Sequence, residues 1–106
     1  MTDDEVTVSS GNIFADLGVP DADDMLVKSD LALEIQRAIR DRDWTHTQAA
    51  QVMGIDQAHV SRISRGKIED YSIDKLLHLL TLLQRNVVIG VRESDEQTGS
   101  LRVHIG

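Results

Sequence analysis

The strongest constraint on this chain lies between residues 47 and 67. Two segments with helical apolar spacing sit there, each too short to stand alone in water. The first is Thr47-Gln48-Ala49-Ala50-Gln51-Val52-Met53, and Gly54 follows it at once. The second is Asp56-Gln57-Ala58-His59-Val60-Ser61-Arg62-Ile63-Ser64-Arg65, and Gly66 follows that. Thr47 is the expected N-cap of the first helix and Asp56 of the second. Gly54 and Gly66 supply the backbone freedom for the two stops. Helices this short are stable only when packed on each other and on a larger body. The expected buried set is Ala49, Ala50, Val52 or Met53, Ile55, Val60 and Ile63.

This is a helix-turn-helix pattern. The small Ala50 lets the second helix cross closely, and Ile55, Val60 and Ile63 lock its underside. Gln57, Ala58, Ser61, Arg62 and Arg65 are then left on one outward face. Those residue types suit base edges. Gln pairs with adenine and Arg with guanine by two hydrogen bonds, and Ala and Ser fit beside a thymine methyl. The start of the first short helix can take a phosphate on its free N–H groups, helped by Thr47 and Gln48. His59, Arg65 and Lys67 are further phosphate candidates. From 47 to 67 the only acid is Asp56, against Arg62, Arg65 and Lys67.

That local excess of positive charge stands inside a chain of formal charge −7, with 18 acids and 11 bases in 106 residues. The acidity is segregated. Residues 1–27 hold Asp3, Asp4, Glu5, Asp16, Asp21, Asp23 and Asp24 with no Lys or Arg, and residues 28–106 are balanced. A segregated field is compatible with DNA binding. The arm has few periodic apolar residues, so its first dozen residues are expected to stay without order in the free chain. Ile13, Phe14 and Leu17 form one apolar helical turn, stopped by Gly18 and Pro20, that packs on the body or docks on a partner.

The body adds three patterns. A helix is expected over about 21–42, with a break near Ser29 and a cap at Ser29 or Asp30. Its apolar face is Leu31, Ile35, Ala38 and Ile39. Trp44 after it reads as a core plug. A helix capped by Ser72 carries Ile73, Leu76 or Leu77, Leu80 and Leu83 on one face, and Leu79 and Leu82 on another. One core cannot easily use both faces, so a second subunit is expected on Leu79 and Leu82. The period then changes. Residues 87–92 are rich in β-branched side chains, and residues 101–105 alternate strictly. This is a hairpin signal across the polar loop 93–100. A lone hairpin is marginal, so Val87, Ile89 and Val91 join the dimerisation set.

Several chemistries find no footing. Cysteine is absent, which excludes disulfides and thiolate sites. His46, His59, His78 and His104 show no metal-ligand spacing, and no cofactor is implied. Asp23-Asp24 and Asp95-Glu96 lie in polar stretches unsuited to acid–base work. No catalytic residue is nominated, and the chain does not read as an enzyme. Nothing approaches the roughly 20 apolar residues of a membrane span. Residues Met1-Thr2-Asp3-Asp4-Glu5 do not resemble a signal peptide, so a cytoplasmic, nucleoid-associated protein is expected.

Residues 47–67 resemble the helix-turn-helix of the Xre/Cro–repressor superfamily, on Thr47-Gln48 and Val60-Ser61-Arg62-Ile63. The likeness extends to Gly11-Asn12-Ile13-Phe14-Ala15-Asp16-Leu17-Gly18, to Lys28-Ser29-Asp30-Leu31-Ala32, to Tyr71-Ser72-Ile73-Asp74-Lys75-Leu76-Leu77 and to the terminal strand. Together these cover roughly residues 11–92 and resemble the HigA-like antitoxins of bacterial type II toxin–antitoxin pairs. The fold expected is mainly α: a lambda-repressor-like helix-turn-helix bundle with a C-terminal β-strand or β-hairpin. Residues 1–27 form the acidic arm, 28–85 the DNA-binding domain and 86–106 the dimerising strand or hairpin. The resemblance implies a homodimer on a palindromic operator, repression of its own operon, and a basic RelE/HigB-like ribonuclease toxin as partner. It also implies a role for the N-terminal segment or the helical body in holding that toxin, and Ile13, Phe14 and Leu17 are the residues nominated. The alternatives are a stand-alone Xre-family regulator without a toxin, and a protein-interaction module that does not bind DNA.

Overall fold

A computed structural model describes the backbone of residues 5–6 and 21–105, with side chains from residue 24 onward. Ile13, Phe14 and Leu17 lie outside the described residues. Among the described residues four helices follow one another: α1 (Asp21–Asp41), α2 (His46–Met53), α3 (Gln57–Ser64) and α4 (Ile73–Leu82). Two strands of two residues each, β1 (Glu5–Val6) and β2 (Ile89–Gly90), complete the description.

α1 is one unbroken helix of 21 residues. The expected break and cap at Ser29 or Asp30 do not occur. Val27 and Leu31 are both buried, and with Ile35 they carry one apolar row straight past Ser29. The boundary drawn at residue 27 therefore falls inside this helix. Leu31, Ile35, Ala38 and Ile39 all face the core as expected.

α1 packs on α4 and α3, and α2 packs on α3 and α4. Their shared core contains Ala49, Ala50, Met53, Val60, Ile63, Leu76 and Leu80. Of the paired options, Met53 is the buried residue and Val52 is exposed. Ile55 and Trp44 are half-buried against the same cluster. Arg42 lies over the Trp44 ring, 5.1 Å from its centroid.

Leu79 is 0% exposed, so its own chain encloses it and it offers no surface to a second copy. The reason is geometric. α4 is wrapped by both α1 and α2, so its buried arc is wider than one face. Leu82 is partly exposed, and Val91 more so. Val87 and Ile89 are half-buried.

The C-terminal strand is present, but the hairpin is not. β2 pairs antiparallel with β1, Glu5 opposite Gly90 and Val6 opposite Ile89. Residues 101–105 carry no strand. Leu101 and Val103 instead pack against the helical core as single side chains. Apolar contact there replaces the ladder that the alternation predicted. The pairing of Glu5 and Val6 also gives backbone order to a part of the arm that composition left without any.

Candidate nucleic-acid interface

The interface is built on two adjoining helix starts. At the first, Thr45 and not Thr47 is the N-cap. The Gln48 backbone N–H donates to Thr45 Oγ1 at 3.1 Å, and the Thr45 N–H donates to Gln48 Oε1 at 2.9 Å. This reciprocal box needs Thr and Gln three residues apart, and only Thr45 stands in that relation to Gln48. Thr47 is freed for another task. Its hydroxyl donates to Gln57 Oε1 at 3.2 Å, joining the start of α2 to the first residue of α3.

Gly54 ends α2 in the left-handed region, φ 65°, with its N–H returned to the Ala50 and Gln51 carbonyls. A Cβ at Gly54 would meet no atom within 4 Å, so the requirement is the dihedral angle and not space. Asp56 takes the extended N-cap conformation of α3 without a side-chain hydrogen bond. The His59 N–H donates to the Asp56 carbonyl at 3.0 Å, and the N–H groups of Gln57 and Ala58 are left for an outside acceptor. Gly66, φ 76°, follows the C-terminal end of the helix.

α3 is held from beneath and from one side. Val60 and Ile63 are buried. Gln36 of α1 donates from Nε2 to the Ile63 carbonyl at 2.9 Å, a second bond to an acceptor that also takes the Gly66 N–H at 3.1 Å, and so ties the end of the helix to α1. His46, at the first residue of α2, faces two hydroxyls of α3. Its Nδ1 lies 3.3 Å from Ser61 Oγ and its Nε2 3.4 Å from Ser64 Oγ. His46 and Gln36 are positioning residues that sequence reasoning missed. Nothing local marks them, because their partners are 15 and 27 residues away.

Gln57, Ala58, Arg62, Arg65 and Lys67 are all exposed along and just beyond α3. Ser61 is half-buried with its hydroxyl turned to His46, so it differs from its neighbours on this face. Gln57 uses Oε1 on Thr47 and keeps its Nε2 donors. Gln48 likewise keeps Nε2 while Oε1 serves the cap. His59 lies on the flank of α3 against Tyr71. Among the described residues, Arg62, Arg65 and Lys67 enter no ion pair, whereas Lys28, Arg37 and Arg85 each meet a carboxylate. The face is thus a short helix with a packed back, a basic rim and an uncovered front.

A helix pair of this kind defines a helix-turn-helix protein, whose second helix is shaped to enter the major groove. The family described as Helix-turn-helix domain matches residues 13–92, and the chain belongs to it. A solved structure bearing the name "Putative XRE Family Transcriptional Regulator" is 29% identical, covering 81% of this chain and 97% of that one with a TM-score of 0.72. No curated protein matches the sequence. Among the described residues no three His, Asp or Glu side chains gather as a metal site, and no helix is long and apolar enough to cross a membrane.

Proposed function

We propose that the chain is a DNA-binding regulator of the Xre type that sits on a palindromic operator as a homodimer and represses its own operon in the cytoplasm. α3 lies in the major groove. Gln57, Ala58, Ser61 and Arg62 read base edges, and Thr47, Gln48, His59, Arg65 and Lys67 hold phosphates. One observation carries this reading: among the described residues Arg62, Arg65 and Lys67 stand exposed and without a carboxylate partner, on and just beyond a helix whose underside, Val60 and Ile63, is buried. A solvated helix face that served only the fold would be free to mix both signs. Catalysis has no comparable support.

The test is binding to a duplex from the chain's own upstream region, followed by fluorescence anisotropy. Arg62→Ala lowers specific affinity by about 1–3 kcal/mol, the value of one bidentate base contact. Unchanged affinity removes Arg62 from the reading set.

A second role rests on the arm. Residues 1–27 carry the whole net charge of −7. We infer that this arm, with Ile13, Phe14 and Leu17, neutralises a basic RelE/HigB-like ribonuclease toxin, which makes the chain an antitoxin. Such an arm steers a cationic partner and covers an RNA-binding surface. Co-expression with the product of the neighbouring gene, followed by co-purification, decides it. A neighbour that is not small and basic, or that fails to co-purify, leaves a stand-alone regulator.

A further inference from the structure

His59 is the third residue of α3, on the flank adjoining Arg62. Its Nδ1 lies 2.7 Å from Tyr71 Oη. The two rings meet edge to face, 5.9 Å between centroids and 83° between planes. Tyr71 comes from the loop between α3 and α4 and is buried. The Nδ1 edge of the imidazole therefore points to the protein. The opposite atom, Nε2, has no partner among the described residues. It also reaches solvent, because no unpartnered side-chain nitrogen is buried there.

A neutral imidazole carries one N–H and one bare nitrogen, and the bond made by one sets the role of the other. A tyrosine hydroxyl donating into Nδ1 leaves the ring proton on Nε2, on the outer edge. The reverse arrangement would turn a bare nitrogen outward, which repels an anion. We propose that Tyr71 is a positioning residue for DNA binding: its hydroxyl fixes His59 as an outward Nε2–H donor to a backbone phosphate at the groove rim. This rests on the DNA-binding reading above and adds a residue to it.

The first test uses the free protein, so it does not depend on DNA. Nitrogen-15 spectra of the His59 ring at mildly alkaline pH, where an ordinary imidazole is neutral, are expected to show the Nε2–H tautomer. The Nδ1–H tautomer overturns the proposal. The second test measures binding to a mixed-sequence duplex as salt is varied. His59→Ala and Tyr71→Phe each weaken binding by about three- to tenfold, as loss of one hydrogen bond does. At the same mildly alkaline pH neither changes the salt slope, because a neutral donor displaces no counterion. Lys67→Ala is the contrast and lowers that slope by about one.

Tyr71→Phe has no further effect in the His59→Ala background if the hydroxyl acts through the imidazole. An equal loss in both backgrounds means Tyr71 acts on stability alone, and overturns the proposal while the Lys67 result upholds DNA binding. A wild-type protein with no salt-dependent duplex binding overturns both.

Discussion

Residues 45–67 and residues 87–105 are alike in length and in the clarity of their apolar patterns, yet they fare differently in the fold. In the first region each local signal agrees with its neighbours. A capping box starts α2, a left-handed glycine ends it, and Ala49, Ala50, Met53, Val60 and Ile63 of the two helices point into one core. In the second region the pattern is as regular, but among the described residues only Ile89 and Gly90 find a strand to pair with. β2 is two residues long, residues 101–105 form no strand, and Val88 and Val91 are 57% and 67% exposed. A helix satisfies its backbone hydrogen bonds within itself, so a short one needs only side-chain packing. A strand needs a second strand for every N–H and C=O, and a single chain that supplies two residues leaves the rest to water.

The contrast is sharpest in the cores of the two regions. Ile63→Ala is expected to lower stability by about 2–4 kcal/mol, because the side chain is 1% exposed and belongs to the core that the helices share. Urea denaturation followed by circular dichroism reads this directly. The same truncation at Ile105, half exposed, stays within about 0.5 kcal/mol. A loss at Ile105 comparable to that at Ile63 would mean that the C-terminal segment is packed in solution and that the two regions are equivalent.

A smaller effect separates the two threonines at the start of α2. Thr45→Ala is expected to cost about 1 kcal/mol, since it removes the hydroxyl that caps the Gln48 N–H. Thr47→Ala costs less than about 0.5 kcal/mol, because its bond to Gln57 is exposed on both sides. Thermal melts of the two variants rank them. The reverse order would restore Thr47 as the cap and shift the start of α2 by two residues.

These residues also show what was legible beforehand. The turn at Gly54, the buried undersides of α2 and α3, and the exposed run Gln57, Ala58, Arg62, Arg65 were readable because they depend on spacing within a few residues. The cap was misplaced because two threonines compete for one role, and only the reach of Gln48 decides between them. A polar residue at Ser29 predicts a break, but the buried Val27 and Leu31 on either side outweigh it. A wheel of α4 shows two apolar faces, and that pattern alone places Leu79 against a partner. The sequence carries no sign that α2 would cover the second. His46, Gln36 and Tyr71 were invisible as positioning groups for the same reason, since each acts on a residue that only the tertiary fold brings near.

The smallest effect tests whether the second region is incomplete or merely exposed. Val91→Ser removes an apolar side chain that touches little of its own chain, so in dilute solution the fold changes by less than about 0.5 kcal/mol. Leu82, Val88 and Val91 are exposed apolar side chains that a second copy could cover, and among the described residues β2 is paired along one edge only. If a copy does so, Val91→Ser weakens self-association measured by sedimentation while leaving the monomer's melting unchanged, and melting of the wild type rises with concentration. Identical sedimentation of variant and wild type over the whole concentration range would show that residues 87–105 need no partner strand. The regular alternation there would then be a pattern that the fold does not use.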